Sequence, residues 1–153
     1  MDAFDADVLI YAAVPGHPLG RRVRALFPSG ASETDDAVGN VVLAGVGSVL
    51  LIPELLTKPM RERAYGELAA LGALLGRIDL RANDLNTAEL ATALGATYKL
   101  RAADAVHLAT ALQAGANRFL TNNAKDFPKS ISEIDITYPM DLPDSDAAPR
   151  RRR

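Results

Sequence analysis

Apolar residues along this chain occur either in short dense runs or in longer stretches with helical spacing. The dense runs predict strands that are buried on both faces, as in a parallel sheet, and the longer stretches predict helices. The predicted strands lie within Ala3 to Ala12, with Val8-Leu9-Ile10-Tyr11 as the buried part, near Val41 to Ala44, at Ile78 to Leu80, at Arg118 to Thr121 and at Ile134 to Tyr138.

Helices are predicted between these strands. Their spans are Leu19 to Phe27, a helix that contains Glu54, Arg61 to Leu75 closed by Gly76, Thr87 to Leu94 closed by Gly95, and Arg101 to Leu112 stopped by Gly115. The helix around Glu54 has two possible starts, because Ser48 is a good N-cap and Pro53 suits the first helical position.

Strands that alternate with helices predict an α/β fold. We expect a three-layer sandwich in which a mainly parallel central sheet of about five short strands is flanked by helices. The 153 residues suffice for one domain with a sizeable core. This domain is expected over residues 1–140, with an exposed loop at Pro28 to Asp36 and a disordered tail at 141–153, where Asp, Pro, Ala and Arg dominate.

The composition is that of an ordinary globular protein, with 48% apolar and 24% charged residues. Because the chain has no cysteine, disulfides and thiolate metal sites are excluded, and a reducing cytoplasm is compatible with it. No apolar run approaches the roughly 18 residues that a membrane-spanning helix needs. We therefore expect a cytoplasmic protein that does not engage a membrane.

The charge is unevenly distributed. The chain has 17 basic and 19 acidic residues, and removing the four arginines of Arg150 to Arg153 leaves 13 against 19, a net charge of −6. An acidic body is a poor general binder of nucleic acid, so a polyanion would have to meet local basic patches. The candidates, each of which also fits a solvated helix face, are Arg21-Arg22-Arg24, Lys58-Arg61-Arg63 and Lys99-Arg101.

Asp104 lies inside the apolar run of its predicted helix. A carboxylate there costs roughly several kcal/mol unless it has hydrogen bonds or a cation. One interpretation is a local ion pair with Arg101, three residues earlier. The other is a shared site with the acids Asp5, Asp7 and Glu54, since ligands of parallel sheets collect at strand ends and helix starts.

Four short stretches, in this order and spacing, resemble the PIN domain family, and within it the VapC-type ribonuclease toxins of bacterial toxin–antitoxin pairs. Each stretch is weak alone, but the order is hard to obtain by chance. The stretches are Asp5-Ala6-Asp7-Val8-Leu9-Ile10-Tyr11, Ser48 to Pro59 with Glu54, Arg101 to Ala109 with Asp104, and Phe119 to Asn123.

The resemblance implies an endoribonuclease dependent on Mg²⁺ or Mn²⁺, acting as the toxin of a type II pair. Its partners would be an RNA substrate, a cognate antitoxin protein and a second copy in a homodimer. Asp5 and Asp104 would be direct metal ligands, Glu54 would orient or deprotonate the attacking water, and Asn123 would assist from a fourth position. Thr121 would either hold the Asp5 carboxylate or be a plain residue at a strand end.

Two positions depart from the family pattern. Asp7 stands where the family usually has Asn, and Asn123 stands where it usually has Asp. Asn123 can offer a carbonyl oxygen to a hard cation but brings no charge. If Asp7 points into the site, the number of carboxylates returns to four.

Other polar residues near these stretches have simpler interpretations. His107, one turn beyond Asp104, could be a general base, but we expect a hydrogen-bonded core histidine. Asp126 is expected to act in a turn, and His17, beside Pro18, to lie at the surface.

Two rival functions remain open. Phe4-Asp5-Ala6-Asp7-Val8-Leu9 and Leu120-Thr121-Asn122 are similar to motifs of haloacid-dehalogenase-type phosphatases, in which the first Asp is the nucleophile. Those enzymes need a later Lys and a further acidic pair downstream. In this chain the lysines that follow the second of these stretches are Lys125 and Lys129, and Asp104 precedes it. The other rival is a catalytically impaired PIN-like binding module, and its support is Asn123.

Overall fold

The structure, a computed structural model, describes residues 1–28 and 41–144. None of the helices in these ranges is long and apolar enough to cross a membrane. The elements are β1 (Asp2–Phe4), α1 (Ala6–Ala13), α2 (Pro18–Arg24), β2 (Gly45–Ser48), α3 (Leu51–Arg61), α4 (Tyr65–Leu75), β3 (Ile78–Arg81), α5 (Leu85–Tyr98), α6 (Ala102–Gln113), β4 (Arg118–Leu120) and β5 (Asp135–Thr137), followed by a 3-10 turn at Pro139–Asp141.

The five strands form one sheet in the order β3-β2-β1-β4-β5, and every pair is parallel. The predicted α/β architecture is confirmed. From β1 the chain winds outward through β2 to β3, and then crosses back to β4 and β5 on the other side of β1. The winding direction therefore reverses between β1 and β4, where parallel sheets open a ligand crevice at the carboxyl ends of their strands.

Alternate residues of the central strands face two separate apolar layers. Ala3 and Phe119 belong to the core beneath α5 and α6. Phe4 and Leu120, one residue further along, belong to the core beneath α1 to α4. Because side chains of a strand point alternately to opposite faces, the same short strands support both helical layers. The three-layer sandwich follows from this alternation.

The first strand is shorter than predicted, and the assignment of Val8 to Tyr11 to a strand is wrong. Asp5 caps α1 by accepting a hydrogen bond from the Ala6 backbone N–H, so the helix begins directly after β1. Val8 and Leu9 are buried and Ile10 is 41% exposed, as one face of a helix requires. Asp5 and Asp7 consequently lie at the start of a helix and not within the strand.

The second strand lies at Gly45–Ser48 and not at Val41 to Ala44. Gly45 and Gly47, which interrupt the apolar pattern, are part of the strand itself. A Cβ at Gly45 would lie 2.1 Å from the Asp2 carbonyl oxygen, so only glycine allows β2 to approach β1 this closely. The predicted strand near Val41 to Ala44 therefore lies four residues too early, because glycines in a sequence usually weaken the pattern of a strand.

Three predicted helix limits also differ. α3 begins at Leu51, which matches neither a start after Ser48 nor a start at Pro53, and it ends at Arg61. α4 is a separate helix that begins at Tyr65, because Arg63 between the two helices has a positive φ of 53°. α5 continues through Gly95 and ends where Lys99 adopts a left-handed conformation with φ 55°. The predicted α6, β3, β4 and β5 are confirmed within one or two residues.

Packing extends beyond residue 140, where the tail was predicted to begin. Leu142 is 2% exposed, and its carbonyl oxygen accepts a hydrogen bond of 2.7 Å from Arg22 Nη1. Asp144 forms an ion pair of 3.3 Å with Arg21. The rest of the predicted tail, from residue 145, and the predicted loop from residue 29 lie outside the described residues.

Replacing Gly20 by Ala is expected to destabilise the fold. Its added Cβ would lie 1.9 Å from the Tyr11 carbonyl oxygen, forcing α1 and α2 apart at a cost of about 1–3 kcal/mol. The control is Gly72→Ala in α4, where a Cβ meets nothing within 4 Å and better helix propensity should add up to about 1 kcal/mol. Urea unfolding of both variants measures the difference, and equal stabilities would contradict the close approach.

Candidate active site

Asp5 and Thr121 meet at the point where the winding of the sheet reverses. Asp5 follows β1 and Thr121 follows β4. The Thr121 hydroxyl donates a hydrogen bond of 2.8 Å to Asp5 Oδ2, and the Ala6 N–H donates one of 2.8 Å to Oδ1. Asp5 is 6% exposed. The Asp5 carboxylate is therefore held in one orientation. Thr121 makes the hydrogen bond expected if its role is to hold this carboxylate.

Burial raises the pKa of Asp5 above its ordinary value, although the nearby His107 and the hydrogen bonds from Thr121 and Ala6 act in the opposite direction. The charge of Glu54 adds to the increase. A buried carboxylate of this kind is stabilised either by a proton or by a cation.

Asp104 projects from the first turn of α6 and is partly buried. Within residues 1–28 and 41–144 it forms no hydrogen bond or ion pair, so the interpretation as a local pair with Arg101 is wrong. Burial raises its pKa, and the charges of Asp5 and Asp126 raise it further. The charge of His107 acts in the opposite direction, but within the described residues the Asp104 carboxylate has no direct cationic partner and lies near other acids.

Glu54 reaches the same region from the first turn of α3. Its Oε1 lies 3.0 Å from Nε2 of His107, whose side chain is 1% exposed. The expectation of a hydrogen-bonded buried histidine is confirmed, and its partner is an acid of the cluster. Burial lowers the pKa of His107, but the hydrogen bond to Glu54 and the charges of Asp5 and Asp104 together raise it above its usual value.

Asp7 adds a further carboxyl group at the edge of the cluster. Its Oδ2 accepts a hydrogen bond of 2.9 Å from the Asn122 backbone N–H. Its Oδ1 is buried and has no hydrogen-bond partner in the described part of the chain. Burial, together with the charge of Asp5, raises the pKa of Asp7 to about 7.

Asn123 is turned toward its own loop. Its Nδ2 donates a hydrogen bond of 2.8 Å to Asp126 Oδ2, and its Oδ1 accepts one of 3.2 Å from the Asp126 N–H. Asp126 therefore has the predicted turn role. Because its charge also raises the pKa of Asp104, it reaches the cluster as well, which the sequence analysis missed. The available signal was its place in the turn after β4, where a loop folds back toward the strand end.

The donor set fits a hard divalent cation. Carboxylate oxygens are the preferred protein ligands of Mg²⁺, and Asp104 and Asp7 each carry oxygens without a protein partner in the described chain. No group of three or more His, Cys, Asp or Glu side chains among residues 1–28 and 41–144 is placed to enclose an ion. Mg²⁺ is commonly held by one or two carboxylates together with several waters, and the chemistry of these donors is compatible with that ion.

The predicted basic patches differ in their surroundings. Arg22 and Arg24 donate hydrogen bonds to backbone carbonyls, so this patch contributes to packing. Lys58 and Arg61 are exposed and follow Glu54 on α3 at a spacing that places the three on one face. Arg101, also exposed, caps α6 next to Asp104.

A PIN domain family model matches residues 3–130 of this sequence. The chain belongs to the PIN domain family. This confirms the resemblance seen in the sequence and sets aside the phosphatase alternative. A search of curated proteins gave no match.

Solved structures show the same fold. A chain of a toxin–antitoxin complex from Klebsiella pneumoniae aligns with a TM-score of 0.66 at 23% identity, covering 91% of this PIN domain protein and 98% of that chain. A chain of VapBC2 from Rickettsia felis, bound to a DNA fragment from the promoter, aligns with a TM-score of 0.62 at 15% identity, covering 90% and 97%.

Without metal, the PIN domain should lose stability as the pH rises. The pKa values of Asp5, Asp7 and Asp104 are raised by folding, so the folded chain binds protons more tightly than the unfolded chain. The stability that this proton binding provides is fully present below the pKa of an unfolded aspartate, about 4. It is lost as the pH rises through the pKa values of the folded state, and the pKa of Asp7 in that state is about 7.

Asp104→Asn should therefore raise the melting temperature in EDTA at pH 8, by about 2–4 °C for each kcal/mol of repulsion relieved, and much less at pH 4.5. The matched control is Glu89→Gln, which removes a charge from an exposed position on α5. Thermal melts across this pH range measure the effect. A variant that melts below the parent at pH 8 would contradict the crowding of charge.

Proposed function

We propose that this PIN domain is a metal-dependent endoribonuclease that hydrolyses RNA phosphodiester bonds. PIN domains are generally nucleases, and the family match supports a hydrolase of this kind. The observation that carries the proposal is the meeting of Asp5, Glu54 and Asp104, from three separate helix starts, at the reversal point of the sheet. Among the described residues the positively charged group that acts on these acids is His107, so the remaining charge is left to be neutralised by protons or by an external cation.

The cation is Mg²⁺ or Mn²⁺, held by Asp5 and Asp104. When bound, such an ion supplies positive charge next to the scissile phosphate and lowers the pKa of bound water. Mg²⁺ retains several waters when one or two carboxylates hold it, which leaves room for substrate. Thr121 supports this site by fixing Asp5, and Asp7 adds a carboxyl that takes part in the charge balance of the cluster.

Glu54 acts on the attacking water. Its Oε1 is occupied by His107, and its Oε2 is the atom that accepts a water proton. The water oxygen then forms a bond to phosphorus, the bond from phosphorus to the leaving ribose oxygen breaks, and that oxygen takes up a proton from solvent. Asn123 assists from the fourth position by holding Asp126 near Asp104.

RNA reaches this acidic site through local basic groups. Lys58 and Arg61 extend from the Glu54 face of α3, and Arg101 lies at the start of α6. Their positive charges lie on two of the three helices whose starts carry the acids, where they can pair with phosphates on either side of the scissile one. A few such contacts suffice for a substrate held mainly at the metal.

Cleavage of RNA is the direct test. The purified protein incubated with total RNA and Mg²⁺ should cleave it, EDTA should abolish cleavage, and excess Mn²⁺ or Mg²⁺ should restore it. Asp104→Asn should reduce the rate by about 100-fold or more, as loss of metal ligation does. Glu89→Gln serves as the control, and gel analysis with primer extension gives the cleavage sites.

The rival function, an inactive binding module, predicts another result. A folded, Mg²⁺-supplied protein that cleaves none of a broad set of RNAs would reject the nuclease proposal. RNA binding without cleavage would then favour the module, whose support is the uncharged Asn123.

We also propose that the protein is the toxin of a type II toxin–antitoxin pair in the cytoplasm, and that it forms a homodimer. The solved structures of the same fold come from a toxin–antitoxin complex and from VapBC2. An antitoxin that places a basic side chain among the carboxylates would neutralise the charge that the metal otherwise neutralises. Such an inhibitor would compete with the cation for Asp104.

The product of a gene adjacent to this one should bind the protein and inhibit RNA cleavage. Light scattering after size exclusion should give twice the 16.3 kDa chain mass for the protein alone and a larger complex with the antitoxin. Asp104→Asn should weaken inhibitor binding if a basic side chain enters the cluster. A monomer would contradict the homodimer, and an antitoxin that leaves cleavage unchanged would contradict the pairing.

A further inference from the structure

Glu54 is only loosely held by its surroundings, although the proposed chemistry makes demands on its position. Its side chain is 32% exposed, whereas Asp5 is 6% exposed and has both carboxylate oxygens hydrogen bonded. Within the described residues, His107 is the single hydrogen-bonding or ionic partner of the Glu54 side chain. A long side chain with this freedom samples many rotamers unless another group selects one.

His107 has the properties needed to select it. It lies one turn beyond Asp104 on α6, and the packing around a side chain that is 1% exposed leaves its ring little freedom. The hydrogen bond of 3.0 Å links α6 to α3, two helices whose contributing residues are 53 positions apart in sequence. Helix α6 thus carries Asp104 and, through His107, also contacts Glu54.

The direction of this hydrogen bond follows from the other ring nitrogen. His107 Nδ1 is buried and has no partner within the described chain, so a proton there would be left unsatisfied. Nε2 therefore carries a proton, which it donates to Glu54 Oε1, both in the charged ring and in the neutral ring. With both nitrogens accounted for in this way, the ring has no free basic atom facing the site, and His107 is not a general base.

We propose that His107 is the positioning residue for Glu54: its Nε2–H holds Oε1, so that Oε2 points to the attacking water beside Asp5 and Asp104. This inference rests on the proposed nuclease function for its catalytic consequence, but the hydrogen bond itself is independent of that function. Two sets of measurements separate the two claims.

The first set uses the metal-free protein and no RNA. Two-bond ¹H–¹⁵N correlation spectra report which nitrogen of each histidine ring is protonated, and the chain has two histidines, His17 and His107. His17→Asn assigns the signals. His107 should carry its proton on Nε2, and Glu54→Ala should shift the Nε2 and Hε2 signals of His107 while those of His17 stay unchanged.

The second set measures RNA cleavage under single-turnover conditions. His107→Leu should lower the maximal rate by about 100-fold with little change in the RNA concentration for half-maximal rate, as expected for a misplaced catalytic group. His107→Gln keeps an N–H donor on a side chain of similar reach and should recover at least about 10-fold of that loss. Thr110→Val, a buried position one turn further along α6, should leave the rate unchanged.

A double-mutant cycle decides whether His107 acts through Glu54. In the Glu54→Ala background, His107→Leu should have no further effect on the rate, because the group that it positions is gone. Thermal melts of all variants verify that they are folded at the assay temperature.

The outcomes are distinct. A ring nitrogen Nε2 of His107 that carries no proton, or no response of the His107 signals to Glu54→Ala, would overturn the hydrogen bond. Full activity of His107→Leu, or an equal loss with and without Glu54, would overturn the positioning role. If the parent protein cleaves no RNA, the nuclease proposal fails, and the spectra alone decide whether His107 holds Glu54.

Discussion

The structure depends on concentrating negative charge where the parallel sheet reverses its winding. Burial there raises the pKa of Asp5 and Asp104, and the charge of Asp5 raises that of Asp104 further. Side chains compensate in part: Thr121 ties the end of β4 to Asp5 at the end of β1, and His107 pairs with Glu54. The side chain of Asp104, in contrast, has no hydrogen bond or ion pair within the described residues. A partly buried acid without such a partner costs the fold stability.

The rigidity of the surrounding framework makes this arrangement possible. Asp5 starts α1 without an intervening loop, and short parallel strands with residues facing both cores hold β1 against β4. Close approach at glycines, such as Gly20 between α1 and α2, leaves little room for relaxation. Carboxylates that repel one another in solution are therefore kept together by backbone geometry and not by their own interactions.

The two departures from the usual family pattern, Asp7 and Asn123, can be described by the hydrogen bonds that their side chains form. Asp7 accepts a backbone hydrogen bond from Asn122 and contributes a carboxyl whose pKa is about 7. Asn123 contributes an amide that orients Asp126. The negative charge that the pattern places at position 123 is thus distributed over neighbouring residues, each supported by a hydrogen bond that its own side chain type allows.

The sequence by itself determined the α/β class, the family and the acids of the cluster, because apolar periodicity and short ordered motifs are local properties. It failed where local patterns are ambiguous: Val8 to Tyr11 fits a buried strand as well as a helix, and Gly45 resembles a break. Tertiary structure alone decided that Asp104 lacks a pair with Arg101, that His107 meets Glu54, and that Asn123 turns to Asp126. Those outcomes depend on which helices pack together and on desolvation, and neither is encoded in the spacing of residues along the chain.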